Sequence, residues 1–232
     1  MSREVHAKPP ATGYNDGMQK LSPRYRHDEA EGLPDDIRQY LDRHFLKTLD
    51  NLDVPHPKLL VVFSGGNAVG KSTLAQHIKQ ELKALVLEND GMKQLLKAHY
   101  PDKDRDELNK LTWQYSMELY ARLDQLTSNG LVVRDGVIDW YYDRILPVFE
   151  RQGYKLFIIA YDLSDKKRVE LIKKRGDKAT VNVDRLIMLI EDHRIHTKRF
   201  LSHHTPDFVF HDDDLFDCQP VIARLKARLR QA

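Results

Sequence analysis

Eight residues, Gly65-Gly66-Asn67-Ala68-Val69-Gly70-Lys71-Ser72, spell G-x-x-x-x-G-K-S directly after the apolar run Leu59-Leu60-Val61-Val62-Phe63. That order demands a strand, a tight loop and a helix in immediate succession. The loop wraps phosphate oxygens with successive backbone N–H groups, so it needs glycines that tolerate unusual dihedrals and close approach. The apolar spacing from Thr73 to Leu82 suits a helix whose N-terminus points at the bound anion. The motif therefore assigns nucleotide binding to Gly65, Gly66, Asn67, Ala68, Val69, Gly70, Lys71, Ser72 and Thr73, with Lys71 reaching the terminal phosphates of ATP and Ser72 holding Mg²⁺.

The rest of the chain repeats the alternation of strand and helix. Strands are expected at 58–64, 84–88, 130–134, 155–161 and 208–210, and helices at 71–83, 91–99, 105–128, 139–152, 165–175, 183–202 and 219–231. Such alternation predicts an α/β fold in three layers, a five-stranded parallel sheet with helices on both faces. Pro147 is expected to kink or interrupt its helix.

Upstream, residues 1–33 mix Pro, Gly and charges with few large aliphatics, which predicts a flexible or surface-lying tail. Residues 34–55 are expected to form an N-terminal helix and linker, with Ile37, Leu41, Phe45, Leu49 and Leu52 at helical spacing, packed on the domain or on a partner. Residues 56–232 then form the nucleotide-binding domain.

With 41% apolar residues in 232, the chain can bury a full core. A single cysteine, Cys218, excludes an internal disulfide framework and fits a reducing compartment. No membrane-spanning run and no secretory h-region are found, so a cytoplasmic location is expected. The formal charge of +2 argues against a general nucleic-acid binder. Residues 165–200 nevertheless hold eleven Lys/Arg against six Asp/Glu, a net +5 that leaves the remainder at −3.

Ligands of open parallel sheets bind beyond the C-terminal strand ends, where the chemistry should be sought. After the second strand stand Asp90 and Lys93, one helical turn apart. A carboxylate there orients an acceptor hydroxyl and takes its proton while a cation holds the rest of the acceptor. The third strand ends at Arg134-Asp135-Gly136, where Asp135 is placed to bind Mg²⁺ through water or to touch the acceptor. The basic segment at 165–200, broken at Gly176, suits a lid, with Arg175 first and Arg168 second as guanidinium groups for the transferring phosphoryl. His193 and His196 match no paired metal signature, and the loop Asp212-Asp213-Asp214 is expected near the nucleotide base.

These residues resemble the P-loop kinases of the polynucleotide kinase and zeta-toxin group, over about residues 58–200. Lys174-Arg175-Gly176-Asp177-Lys178-Ala179 followed by Val183-Asp184-Arg185-Leu186 is similar to the polynucleotide kinase lid and next helix. The resemblance implies ATP and Mg²⁺ at Lys71 and Ser72, Asp90 as general base, Lys93 on the acceptor, and Arg175 assisting transfer. It also departs from the group: Lys93 stands where the polynucleotide enzyme has arginine, and a second lid arginine falls near Leu171. The resemblance thus implies a small-molecule or nucleotide-type acceptor, with nucleic acid less favoured, and a protein antitoxin as a partner compatible with the group. The other reading that the residues leave open is a nucleotide-dependent switch or ATPase acting on a protein partner.

Overall fold

The computed structural model describes residues 32–175 and 183–231. Five strands, β1 (His56–Ser64), β2 (Leu85–Glu88), β3 (Asn129–Val137), β4 (Lys155–Tyr161) and β5 (Phe208–Phe210), form one all-parallel sheet in the order β2-β3-β1-β4-β5. The helices are α1 (Asp35–His44), α2 (Lys71–Leu82), α3 (Asn89–His99), α4 (Arg105–Ala121), α5 (Leu123–Leu126), α6 (Tyr142–Arg151), α7 (Asp165–Arg175), α8 (Val183–Leu201) and α9 (Gln219–Leu229).

The period-two geometry of a strand explains the layers. In β1, Leu59, Val61 and Phe63 join Leu74, Ile78 and Leu82 of α2 and Val221, Ile222 and Leu225 of α9 on one face. Leu60 and Val62 point the other way, into a larger core with Met92 and Leu96 of α3, Leu111, Tyr115 and Leu119 of α4, and Phe149 of α6. Both faces are covered, which is why the central strands read as unbroken apolar runs rather than alternating ones. The α/β three-layer expectation holds.

Several boundaries differ from the expected ones for physical reasons. The stretch expected as one helix at 105–128 breaks after Ala121 and resumes as α5. Pro147 sits inside α6 without interrupting it, because Ile145, Leu146, Val148 and Phe149 are all buried around it. Packing of that extent outweighs the roughly 3 kcal/mol that an interior proline costs a helix.

The N-terminal helix is shorter than its apolar spacing suggests, ending at His44 before a 3-10 turn at Leu46–Thr48. Its buried stripe, Leu33, Ile37, Leu41 and Phe45, belongs to the same core as β1 and α4. Two arginine–carboxylate pairs tie α1 to α4 in opposite senses. Arg38 of α1 donates from Nε to Glu118 Oε2 at 2.6 Å and from Nη2 to Oε1 at 3.2 Å. Arg122, after α4, donates from Nη1 to Asp42 Oδ2 at 3.0 Å and from Nη2 to Asp42 Oδ1, an oxygen that also accepts Tyr115 O–H at 2.8 Å. Fork geometry of this kind fixes orientation as well as distance.

Leu41 is completely buried in that stripe. Leu41→Ala should therefore lower unfolding free energy by about 2–5 kcal/mol, the range for truncating a buried leucine. Urea denaturation followed by circular dichroism measures it, and a loss under about 1 kcal/mol would mean that α1 is peripheral.

Candidate active site

Three strand ends, those of β1, β2 and β3, converge on one cleft. At the end of β1 the chain turns into the phosphate-loop motif with Gly65 at φ +125°, Ala68 at φ +63° and Gly70 at φ +89°. A Cβ on Gly65 would stand 3.0 Å from Tyr161 Cβ and 3.2 Å from its carbonyl oxygen on β4, so both dihedral and space require glycine there. Gly70 is the left-handed residue from which α2 starts, so the first amides of α2 face the cleft as an anion site. Lys71 is buried, and its Nζ donates to the Gly66 carbonyl across the loop.

β3 carries the next groups by an irregularity that the sequence pattern does not show. Val61 pairs with Val133, yet Phe63 pairs with Val137, so two steps along β1 answer four along β3. The two extra residues leave the β1 ladder while Asp135 stays paired with Glu88 of β2. This bulge delivers Asp135 to Ser72, whose Oγ donates to Asp135 Oδ1 at 3.1 Å. Burial pushes the Asp135 carboxyl above the ordinary carboxylate range and nearby Asp90 adds to it, while Ser72, Lys71 and Arg134 pull the other way. The Ser72–Asp135 pair is an oxygen donor set suited to Mg²⁺, which keeps several waters and takes its remaining ligands from phosphates. Among the described residues no group of three or more His, Cys, Asp or Glu is arranged to hold a metal.

A cavity of about 660 Å³ runs from residues 67–73 to Asp90 and Lys93, with Asp135 between and Leu171, Lys174 and Phe216 on the remaining walls. Asp90 lies in the first turn of α3, after an N-cap, Glu88, that makes no side-chain capping bond. Asp90 is solvent-exposed on the cleft side and Lys93 is half-buried one turn on. The structure thus brings together Lys71, Ser72, Asp90, Lys93 and Asp135.

The basic segment is arranged differently. Arg175 is the last residue of α7; its side chain, and residues 176–182 with the break at Gly176 expected in a lid at about 165–200, lie outside the described residues. Arg168 is not extended from a lid face. Its guanidinium is buried behind the phosphate loop, donating from Nε to the Leu163 carbonyl at 3.1 Å, with Nη1 3.7 Å from where a Gly66 Cβ would stand. His196 stacks on Trp140 with ring centroids 4.6 Å apart, and buried His193 meets the same indole edge-on at 5.4 Å. In the acidic loop, Asp212 accepts the Ser164 amide and hydroxyl at 2.9 and 2.5 Å, and Asp214 accepts the His211 amide at 2.6 Å. Facing the phosphate loop from that loop is Phe216, its ring 3.5 Å from a Gly70 Cβ position and 62% exposed.

Sequence reasoning missed Asp139. It is 1% exposed, and its Oδ2 accepts the Gly65 amide at 2.9 Å and the Thr197 hydroxyl of α8 at 2.6 Å. The signal emerges only if β3 is allowed to continue past Arg134, which places Asp139 just beyond the strand end.

Burial holds the Asp139 carboxyl above its ordinary range, against the opposing pull of Thr197, Ser64, the Gly65 amide and Lys71. A carboxyl whose folded pKa exceeds the unfolded value of about 3.9 binds more protons in the native state, so stability falls as pH rises between the two values. Asp139→Asn keeps an acceptor oxygen for Gly65 but cannot ionise. The melting temperature of the variant relative to wild type should therefore rise between pH 4 and pH 8, measured by calorimetry at about ten pH values. A difference flat with pH would contradict the assignment.

Set beside known structures, the chain shares its fold with kinases and related proteins. A "putative kinase" from Chloroflexus aurantiacus is 18% identical, with TM-score 0.55, over 77% of this chain and 98% of that one. A structure from the PezAT chromosomal toxin–antitoxin system of Streptococcus pneumoniae is 13% identical, with TM-score 0.58, over 78% and 79%. The tunicamycin resistance protein of Deinococcus radiodurans is 14% identical, with TM-score 0.51, over 74% and 95%. No curated protein matches the chain significantly. The sequence pattern of the AAA domain family AAA_33, a P-loop kinase family, matches residues 60–188, more than half of the 232, and the chain belongs to that family.

Proposed function

We propose that the protein transfers the γ-phosphoryl group of ATP to a hydroxyl acceptor. One observation carries the reading: a single cavity is lined by the phosphate loop at one end and by Asp90 and Lys93 at the other, with the Ser72–Asp135 pair between them. A hydrolytic switch needs only the first end.

Each residue then has a definite task. The loop amides and Lys71 bind the phosphates, and Phe216 offers an apolar face to the base. Ser72 and Asp135 would hold Mg²⁺, which when bound would supply countercharge to phosphate oxygens. The acceptor oxygen bonds to the γ-phosphorus as the bond to the β–γ bridging oxygen breaks. Asp90 takes the hydroxyl proton, and ADP leaves with the bonding pair. Lys93 holds the acceptor beside Asp90. Arg175, on the last residue of α7, is assigned to the transferring group from the lid side by resemblance to the polynucleotide kinase lid.

Toxin–antitoxin membership is a property of the PezAT system; here an inhibitory protein partner enters as a subsidiary proposal from shared fold. Among the described residues no helix is long and apolar enough to cross a membrane.

The test is label transfer from γ-³²P-ATP and Mg²⁺ into a panel of alcohols, nucleosides, nucleotide sugars and 5′-hydroxyl oligonucleotides. Asp90→Asn should reduce transfer by about 10²–10⁴-fold, the usual contribution of a general base, while ATP binding persists. Label released only as free phosphate, equally by both proteins, would overturn the reading in favour of an ATPase.

A further inference from the structure

Beyond Asp90 and Lys93 the cleft opens into a second hollow of about 450 Å³ between α3 and the start of α4. Four cations line it: Lys93, Lys97, Lys103 and Arg105. Its other carboxylate, Asp104, is committed elsewhere, capping α4 by accepting the Asp106 and Glu107 amides at 2.8 Å each. Lys103 lies 3.5 Å from Glu107, but Lys93 and Arg105 have no ion pair among the described residues. Lys97 is tied by neutral partners, donating to the Pro101 carbonyl at 2.6 Å and that of Lys103 at 3.3 Å. Carbonyls satisfy its hydrogen bonds and fix its position without cancelling its charge.

From this geometry we infer that the hollow is a phosphate-binding subsite for the acceptor. Resting on the transfer reading above, it makes the acceptor a phosphorylated small molecule. Asp90, Lys93 and Lys97 fall at i, i+3 and i+7 on α3, one face of the helix. At 1.5 Å rise per residue the backbone position of Lys97 lies about 10 Å beyond that of Asp90 along the axis. The acceptor therefore presents its reacting hydroxyl at Asp90 and carries a phosphate group about 10 Å away, the span of a sugar or nucleoside phosphate rather than of a short hydroxy acid. The hollow's volume lies within the range of small-molecule sites, and the chain's formal charge of only +2 argues against a general polymer binder.

Two arms test this, both on the full chain. In the first, the phosphate loop is filled with Mg²⁺ and a non-hydrolysable ATP analogue, and inorganic phosphate is titrated at constant ionic strength while amide resonances of residues 93–105 are followed by NMR. Saturable shifts confined to that segment are expected, with affinity about tenfold weaker in Arg105→Gln and again in Lys97→Gln, as for loss of one charge-assisted contact. Arg105 is exposed at a helix start, so its variant keeps the fold. Absence of saturation, or equal binding by Arg105→Gln, overturns the subsite. In the second arm, matched alcohols with and without a phosphate group, and a 5′-hydroxyl oligonucleotide, compete as acceptors. The phosphorylated small molecules should lead by at least about tenfold in kcat/KM, and Arg105→Gln should erase that lead mainly through KM. Equal use of neutral alcohols, or preference for the oligonucleotide, overturns the acceptor assignment while leaving phosphoryl transfer intact. Phosphate binding without transfer to any acceptor upholds the subsite and removes the transfer reading instead.

Discussion

A single buried carboxylate, Asp139, accepts the first amide of the phosphate loop and the Thr197 hydroxyl of α8 on the same oxygen. Gly65 at φ +125° has little intrinsic preference for the direction in which its N–H points. Asp139 supplies that direction, and β3 supplies Asp139, because Ile138 donates its amide to the Phe63 carbonyl at 2.9 Å and so locks the two strand ends together. Everything downstream, from the curl of the loop to the axis of α2, starts from that anchored amide. Leaving it without an acceptor in a buried setting would cost about 1–3 kcal/mol.

The same anchor joins the loop to the basic segment. Thr197 belongs to α8, whose His193 lies 3.9 Å from where a Gly66 Cβ would stand, while Arg168 of α7 approaches the same glycine from beneath. Lys71 and Asp139 attract across this region, and Lys71 also pulls on Asp135. The loop therefore lies inside a charged network, with Asp135 and Lys71 on its cleft side and Asp139 and Arg168 buried behind it.

Much of this was legible in the sequence. The motif at 65–72 dictates its own strand and helix because only one local geometry satisfies it, and the two-sided burial of β1 is implied by its unbroken apolar run. Asp90, Lys93 and Asp135 stand at or just past the C-terminal ends of β2 and β3, the places where a parallel sheet presents its ligand groups. Non-local and irregular features escaped. The bulge at Arg134–Gly136 breaks the period-two pattern that marks a strand, so β3 read as ending early and Asp139 fell outside any motif. Phe216 carried no signal in the sequence because its neighbour, Gly70, is 146 positions away. Arg168 read as a lid residue because a helical face shows spacing but not which way it packs.

The ends of the cleft proposed for the donor and for the acceptor differ in how they are built. The groups assigned to the phosphates and Mg²⁺ sit on the loop after β1, on α2 and on β3, inside the span 60–188 that matches the family. The groups proposed for the acceptor sit on α3 and α4, which also pack against a third helix, α1, outside that span. Phe45 of α1 packs edge-on against Tyr115 of α4, with ring centroids 6.2 Å apart, and lies 3.8 Å from a Gly91 Cβ position on α3. Tyr40 stacks on His99 at the far end of α3 at 4.0 Å. The arginine forks at Glu118 and Asp42 then hold α1 at a fixed angle on α4. Shape and charge on the acceptor side are therefore written partly by residues 33–45, which carry no motif.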